Sequence, residues 1–229
     1  MYASAHRCQP TRLVNPTSRV WRVPPGGDVG RPDARPRAVA RVRELFWASP
    51  PNVATGTRAI LPAGVRVLRE VFGQLTEALL PACQGVYGSR LVSLAVFGSV
   101  ARGTPRPDSD LDILVVAEAL PVGRMARVRE FEGVDERLAA ALAHASRCGV
   151  HTALAPVLKT PEEARRGSVL FWDMTEEVRI LFDRDDFLSS LLADVASRLR
   201  ALGARRIVRG TTRYWDLKPD FRPGEVFQL

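Results

Sequence analysis

The sequence predicts an α/β or α+β domain over residues 63–204, on three observations. Short apolar runs ending at turn residues read as buried strands. Longer stretches between them repeat apolar residues at helical spacing. Their order is strand, turn, strand, helix, strand, helix, strand, helix, which places a sheet against helices.

The elements follow in chain order. Leu68, Phe72, Leu75 and Leu79 predict a helix up to about Leu80, ended by Pro81. Leu91 to Phe97 is an apolar run closing at Gly98, and Leu111 to Val116 is a second. Met125, Val128, Phe131, Leu138, Leu142 and Ala145 mark a long amphipathic helix that closes near Gly149. Val150 to Leu158 is the third strand. Thr160-Pro161-Glu162-Glu163 then starts a helix, with a capping-box pattern and proline at its first position. Val178 to Phe182 is the fourth strand. Asp185 or Asp186 is expected to cap a helix carrying Leu188, Leu192, Val195 and Leu199 on one face, with Gly203 at its end.

The flanks differ in composition. Residues 1–44 hold six prolines and few large apolar side chains, and read as a disordered basic arm. Residues 45–62 are the linker, and 205–229 are expected to pack on the core as an extended segment. The net charge of +8 is concentrated: nine arginines against three acids give residues 1–44 a net of +6, leaving +2 for the rest. Such an arm suits phosphates, but a solvated tail is the better explanation. No apolar run approaches a membrane span of about 20 residues, and no signal-peptide pattern opens the chain. Cys8, Cys83 and Cys148 are odd in number and lack zinc-site spacing, which points to a reducing cytoplasm.

Chemistry concentrates between Gly98 and Val116. Gly98 and Ser99 fall where a strand turns into a short helix, whose free N–H groups and positive dipole end favour a phosphate. Arg102, one turn on, reaches toward the same anion. Asp110 and Asp112 stand two apart at a strand entrance, so both carboxylates project from one face. Carboxylates held that close repel unless a cation lies between them. Mg²⁺ suits the pair, since it takes one or two carboxylates together with substrate phosphates. A Gly-Ser turn alone is usually only a turn, and a lone Asp-x-Asp is usually a solvated edge. In this order, each bordered by an apolar strand, they point to phosphoryl transfer with a nucleoside triphosphate.

Gly98-Ser99, a spacer of ten residues, then Asp110-x-Asp112 followed by Ile-Leu-Val-Val resembles the signature of the polymerase β-like nucleotidyltransferase superfamily. Its minimal branch, which includes aminoglycoside nucleotidyltransferases and toxin-like enzymes modifying tRNA or a partner protein, is the nearest in flavour. The resemblance implies a mixed β-sheet flanked by helices, two Mg²⁺ ions (or Mn²⁺) on Asp110 and Asp112, and NTP phosphates held by Gly98, Ser99, Arg102 and Ser109. A hydroxyl of an RNA, a protein or a small molecule would attack the α-phosphorus and release pyrophosphate. ATP binding and an antitoxin-like partner belong to the same implication. One departure stands against it. The family's third carboxylate, on the next core strand, is missing, because Val150 to Leu158 holds His151 but no Asp or Glu. Glu162, Glu163 and Asp173 follow, each expected to be a helix cap or first-turn acid. The alternative is therefore an inactive nucleotide-binding or interaction module of the same fold.

Overall fold

The computed structural model describes residues 63–210 and 212–222. The basic arm, the linker and the end of the C-terminal segment lie outside the described residues.

Helix α1 (Ala63–Tyr87) opens the domain. Phe72, Leu75 and Leu79 are buried on one face, as their spacing predicts. Pro81 does not end this helix; it lies inside it. Proline removes one hydrogen bond and frees the carbonyl four residues back. Pro81 and Glu77 are both exposed, so water can take that carbonyl. Ala82, Cys83 and Tyr87 beyond it are buried, and their packing keeps the helix going.

A 3₁₀ turn (Gly88–Arg90) leads into β1 (Leu91–Val96), every residue of which is buried. Helix α2 (Gly98–Arg102) follows at once, then β2 (Leu111–Ala117), α3 (Arg124–Arg147) and β3 (Leu154–Lys159). The third strand starts four residues later than the apolar run suggests. Leu111 N–H donates to Ala153 O and His151 N–H to Pro107 O, so residues 151–153 brace the loop before β2 instead. Two short helices, α4 (Pro161–Arg165) and α5 (Leu170–Met174), precede β4 (Arg179–Asp183). The capping box on α4 is present, with Thr160 and Glu163 bonding each other's backbone N–H groups.

Helix α6 (Phe187–Ala201) buries Leu188, Leu192 and Leu199. Its cap is neither Asp185 nor Asp186, both of which adopt positive φ. Asp183, at the end of β4, accepts from the N–H groups of Leu188 and Ser189. The 3₁₀ turn between strand and helix (Arg184–Asp186) moves the capping side chain earlier in the sequence.

The sheet has the order β3-β2-β1-β4. Strand β1 runs antiparallel to both neighbours, while β2 and β3 are parallel, so the sheet is mixed. Helices cover both faces. Leu111, Ile113 and Val115 of β2 meet Phe72, Phe131 and Leu138 of α1 and α3. Leu114 and Val116 meet Phe171, Met174 and Leu188 of α5 and α6. The strand alternation therefore turns even-numbered β2 side chains toward α5, and Asp112 is one of them. Strands β5 (Arg205–Arg209) and β6 (Thr212–Asp216) form a separate antiparallel hairpin. Among the described residues no helix is long and apolar enough to cross a membrane.

Candidate active site

The first two strands and α2 are built around one close approach. Gly98 adopts φ +70°, and a methyl group placed on its Cα would overlap Oδ2 of Asp112. Any L side chain here would meet both backbone strain and a carboxylate, so the turn needs glycine. Phe97 N–H donates to Asp112 O at 3.0 Å, locking the turn to the strand that carries the acid. Gly103, also at positive φ, ends α2 with its N–H on Val100 O.

An open cleft of about 530 Å³ lies against this turn. Every site residue named from the sequence lines it: Gly98, Ser99, Arg102, Ser109, Asp110 and Asp112. Asp110 sits one residue before β2 rather than in it, and its Oδ1 lies 3.4 Å from Ala153 N. The Ser109 hydroxyl oxygen accepts from Arg106 N–H at 2.9 Å, so this side chain shapes the loop as well as facing the cleft. Arg102 is already engaged. It donates to Glu177 across the cleft at 3.0 Å.

The electrostatics fit a cation. Burial pushes the Asp112 carboxyl above its usual range, the neighbouring Asp110 charge adds to this, and Arg102 opposes it. Two crowded carboxylates, one of them half-buried, are relieved by a divalent ion. Among the described residues no group of three or more His, Cys, Asp or Glu side chains is arranged to hold a metal. Asp110 and Asp112 offer two carboxylates, a pair whose chemistry fits Mg²⁺ completed by water and phosphate oxygens.

The opposite wall was not legible from spacing. Leu170, Asp173, Met174 and Glu177, on and after α5, line the same cleft. Asp173 is a first-turn acid of α5, as expected, yet it also faces the site. Trp215 Nε1 donates to it at 2.9 Å and Arg206 lies 3.5 Å away, so the hairpin holds this acid in place. Glu163 is committed elsewhere. It receives two hydrogen bonds from Arg127 (2.6 and 2.9 Å), and these hold its carboxyl down to about 2. In the β2–β3 register Asp112 faces Ala155, so the strand beside it offers no acid. The His151 side chain is exposed and does not line the cleft.

The family model described as a nucleotidyltransferase domain matches residues 82–163, from late α1 through the start of α4. This core is similar to the polymerase β-like nucleotidyltransferases. Residues 82–163 thus carry the nucleotidyltransferase-domain pattern. It is 29% identical over 125 residues to a Methanocaldococcus jannaschii protein that carries the provisional name protein adenylyltransferase MJ1305, covering 54% of this chain and 80% of that one. Solved structures similar to this chain include a mutant of the toxin–antitoxin MntA–HpeT, at 19% identity and a TM-score of 0.37, covering 56% of this chain and 88% of that one. Another is the tri-AMPylated Shewanella oneidensis HEPN toxin in complex with MNT antitoxin, at 16% identity and a TM-score of 0.35, covering 56% and 89%.

Proposed function

We propose that this nucleotidyltransferase moves AMP from ATP to a hydroxyl, with a protein side chain as the acceptor class. The observation that carries the reading is the close approach of Gly98 to the Asp112 carboxylate, with Asp110 in the same cleft, which supports a phosphate-binding role for the turn beside the acid pair. The name of the archaeal relative supports ATP and a protein acceptor over an RNA or a small molecule.

In this reading the N–H groups at the start of α2 and the Ser99 hydroxyl hold the β and γ phosphates. Arg102 and Ser109 steady the same tail from the cleft's edge. Asp110 and Asp112 would hold Mg²⁺, two ions by family resemblance, with Mn²⁺ able to use the same donors; the metal supplies charge neutralisation for the triphosphate and the departing pyrophosphate. Asp173, on the opposite wall, is the acid placed to accept the acceptor's proton. Its side chain keeps 56% of its surface exposed, and Trp215 fixes its direction. Positioning and electrostatics then supply most of the rate.

The competing reading, a nucleotide-binding module without turnover, is favoured by one observation: strand β3 lacks an acid beside Asp112. Turnover separates the two. With Mg²⁺ and α-labelled ATP in native lysate, the protein should label an acceptor and release pyrophosphate. The Asp110→Asn, Asp112→Asn double variant should fold and lose the labelling. Equal labelling by that variant would refute the assignment. Label on a co-purifying protein would mark a toxin–antitoxin-like pair, and label on RNA would replace the protein acceptor with a nucleic acid.

A further inference from the structure

A second cavity of about 440 Å³ adjoins the cleft and shares Arg102 and Asp173 with it. The remaining lining is Thr104, Arg206, Gly210 and Arg213, so the hairpin builds much of its wall. The two cavities differ in charge. Five acids and two arginines line the larger, a net of −3, while three arginines and one acid line the smaller, a net of +2. Arg206 and Arg213 lie beyond the residues that the family model matches.

All three guanidiniums converge on one carboxylate. Glu177 accepts from Arg102 at 3.0 Å, from Arg206 at 2.6 Å and from Arg213 at 3.2 Å. We propose that Arg102, Arg206 and Arg213 form a phosphate subsite on the hairpin side of the cleft, in which the Glu177 carboxylate occupies the anion's place until a phosphate group displaces it. The subsite rests on the nucleotidyl-transfer reading for its context, but not for its test.

Two further features support it. The Nε atoms of Arg102 and Arg206 are buried and have no hydrogen-bond partner among the described residues. Buried donors without acceptors are costly, and the several oxygens of a phosphate would satisfy them. Burial works against ionisation of Glu177, yet hydrogen bonds from Arg206 and Arg102 outweigh it and hold its carboxyl below the usual range. Glu177 is therefore a full anion at neutral pH, as a stand-in must be. Asp173 and Glu176 also hold Arg206, which makes the whole cluster neutral. A phosphate accordingly enters by exchange with Glu177, not by simple addition. Arg206 is the fixed member, and Arg213, 41% exposed, is the one free to follow the ligand.

The phosphate could be the tail of the nucleotide or a diester of an acceptor strand, and binding distinguishes them. The full chain, free of metal, is titrated calorimetrically with inorganic tripolyphosphate and separately with a single-stranded oligonucleotide lacking terminal phosphates. Arg213→Ala should weaken binding about tenfold, the loss expected for one charge-assisted hydrogen bond. Arg206→Gln should do at least as much. Glu177→Gln should strengthen binding several-fold, because the competing charge is gone. A loss confined to tripolyphosphate assigns the subsite to the nucleotide, and one confined to the oligonucleotide assigns it to the acceptor. Arg213 lies at the surface with one carboxylate partner, so its variant keeps the fold, and an unchanged melting temperature verifies that. Equal binding by wild type and Arg213→Ala for both probes overturns the subsite, as does failure of the wild type to bind either. Weakened binding in Glu177→Gln overturns the exchange. Label transfer is read on the same variants: transfer that persists while binding is indifferent to Arg213 removes the subsite and leaves nucleotidyl transfer standing. Arginine-dependent binding without transfer does the reverse.

Discussion

One wall of the cleft comes from fifteen consecutive residues, Gly98 to Asp112, while the other carries Asp173 and Glu177, both bonded by a hairpin that follows another helix. The first wall is local. Its turn, short helix and strand entrance are bound to each other through Gly98 and Asp112 and the Phe97–Asp112 hydrogen bond. The second depends on α5 packing on the sheet and on the hairpin bonding to α5. Local chemistry therefore sets the carboxylate pair, and tertiary packing sets what stands opposite it. The two walls should fail differently when cut.

The largest effect is expected at the local wall. Asp110→Asn and Asp112→Asn should each lower transfer by about 10³-fold or more, as loss of an electrostatic group at the reacting phosphorus does. Because Asp112 is crowded by burial and by Asp110, its neutral variant should melt at a higher temperature than wild type in metal-free buffer. A melting curve with and without Mg²⁺ checks both halves: the metal should stabilise wild type and not the variant.

Gly98→Ala comes next. The added methyl meets a carboxylate in a backbone conformation with φ +70°, so stability should fall by about 1–3 kcal/mol, measured by urea unfolding. Transfer should be nearly lost even where the variant remains folded, because Asp112 must move. Normal activity in Gly98→Ala would mean that the close approach does not matter to the site.

Trp215→Phe probes the distant wall more gently. It removes the indole N–H that orients Asp173, at a cost of about 0.5–1.5 kcal/mol. Transfer should fall several-fold through kcat, with KM for ATP little changed, since the proposed role of Asp173 is toward the acceptor's proton and not toward the phosphates. A change confined to KM would place Asp173 with the nucleotide instead of the acceptor.

The smallest effect lies away from both walls. Glu163 has its carboxyl lowered from its ordinary 4.5 to about 2 by Arg127, so the pair contributes stability that is complete above pH 4.5. That contribution is lost as pH falls toward 2, because the unfolded chain takes up the proton first. The pair is partly exposed, which limits its worth to about 1 kcal/mol. Glu163→Gln should flatten the melting temperature between about pH 5 and pH 3 while leaving transfer at neutral pH intact.

The same contrast explains what the sequence made legible. Strands β1 and β2, the short helix and the acid pair follow from contiguous residues whose chemistry and periodicity coincide. Pro81 misled because proline's cost depends on which face of a helix it occupies, and here the freed carbonyl is solvated. The α6 cap was misplaced because a 3₁₀ turn lets Asp183 reach past two aspartates that look better positioned. Nothing in the spacing of Asp173, Glu177, Arg206 and Arg213 joins them, since they meet only after α5 and the hairpin have packed. The apolar run from Val150 includes residues that brace a loop, and no periodicity distinguishes bracing from pairing.

In the proposed reaction the α-phosphorus is the atom attacked. Parallel reactions with α-labelled and γ-labelled ATP, in the presence of Mg²⁺ and native lysate, test it directly. The α-label should appear on an acceptor while the γ-label leaves as pyrophosphate. Transfer of the γ-label to the acceptor would make the protein a kinase and rule out nucleotidyl transfer.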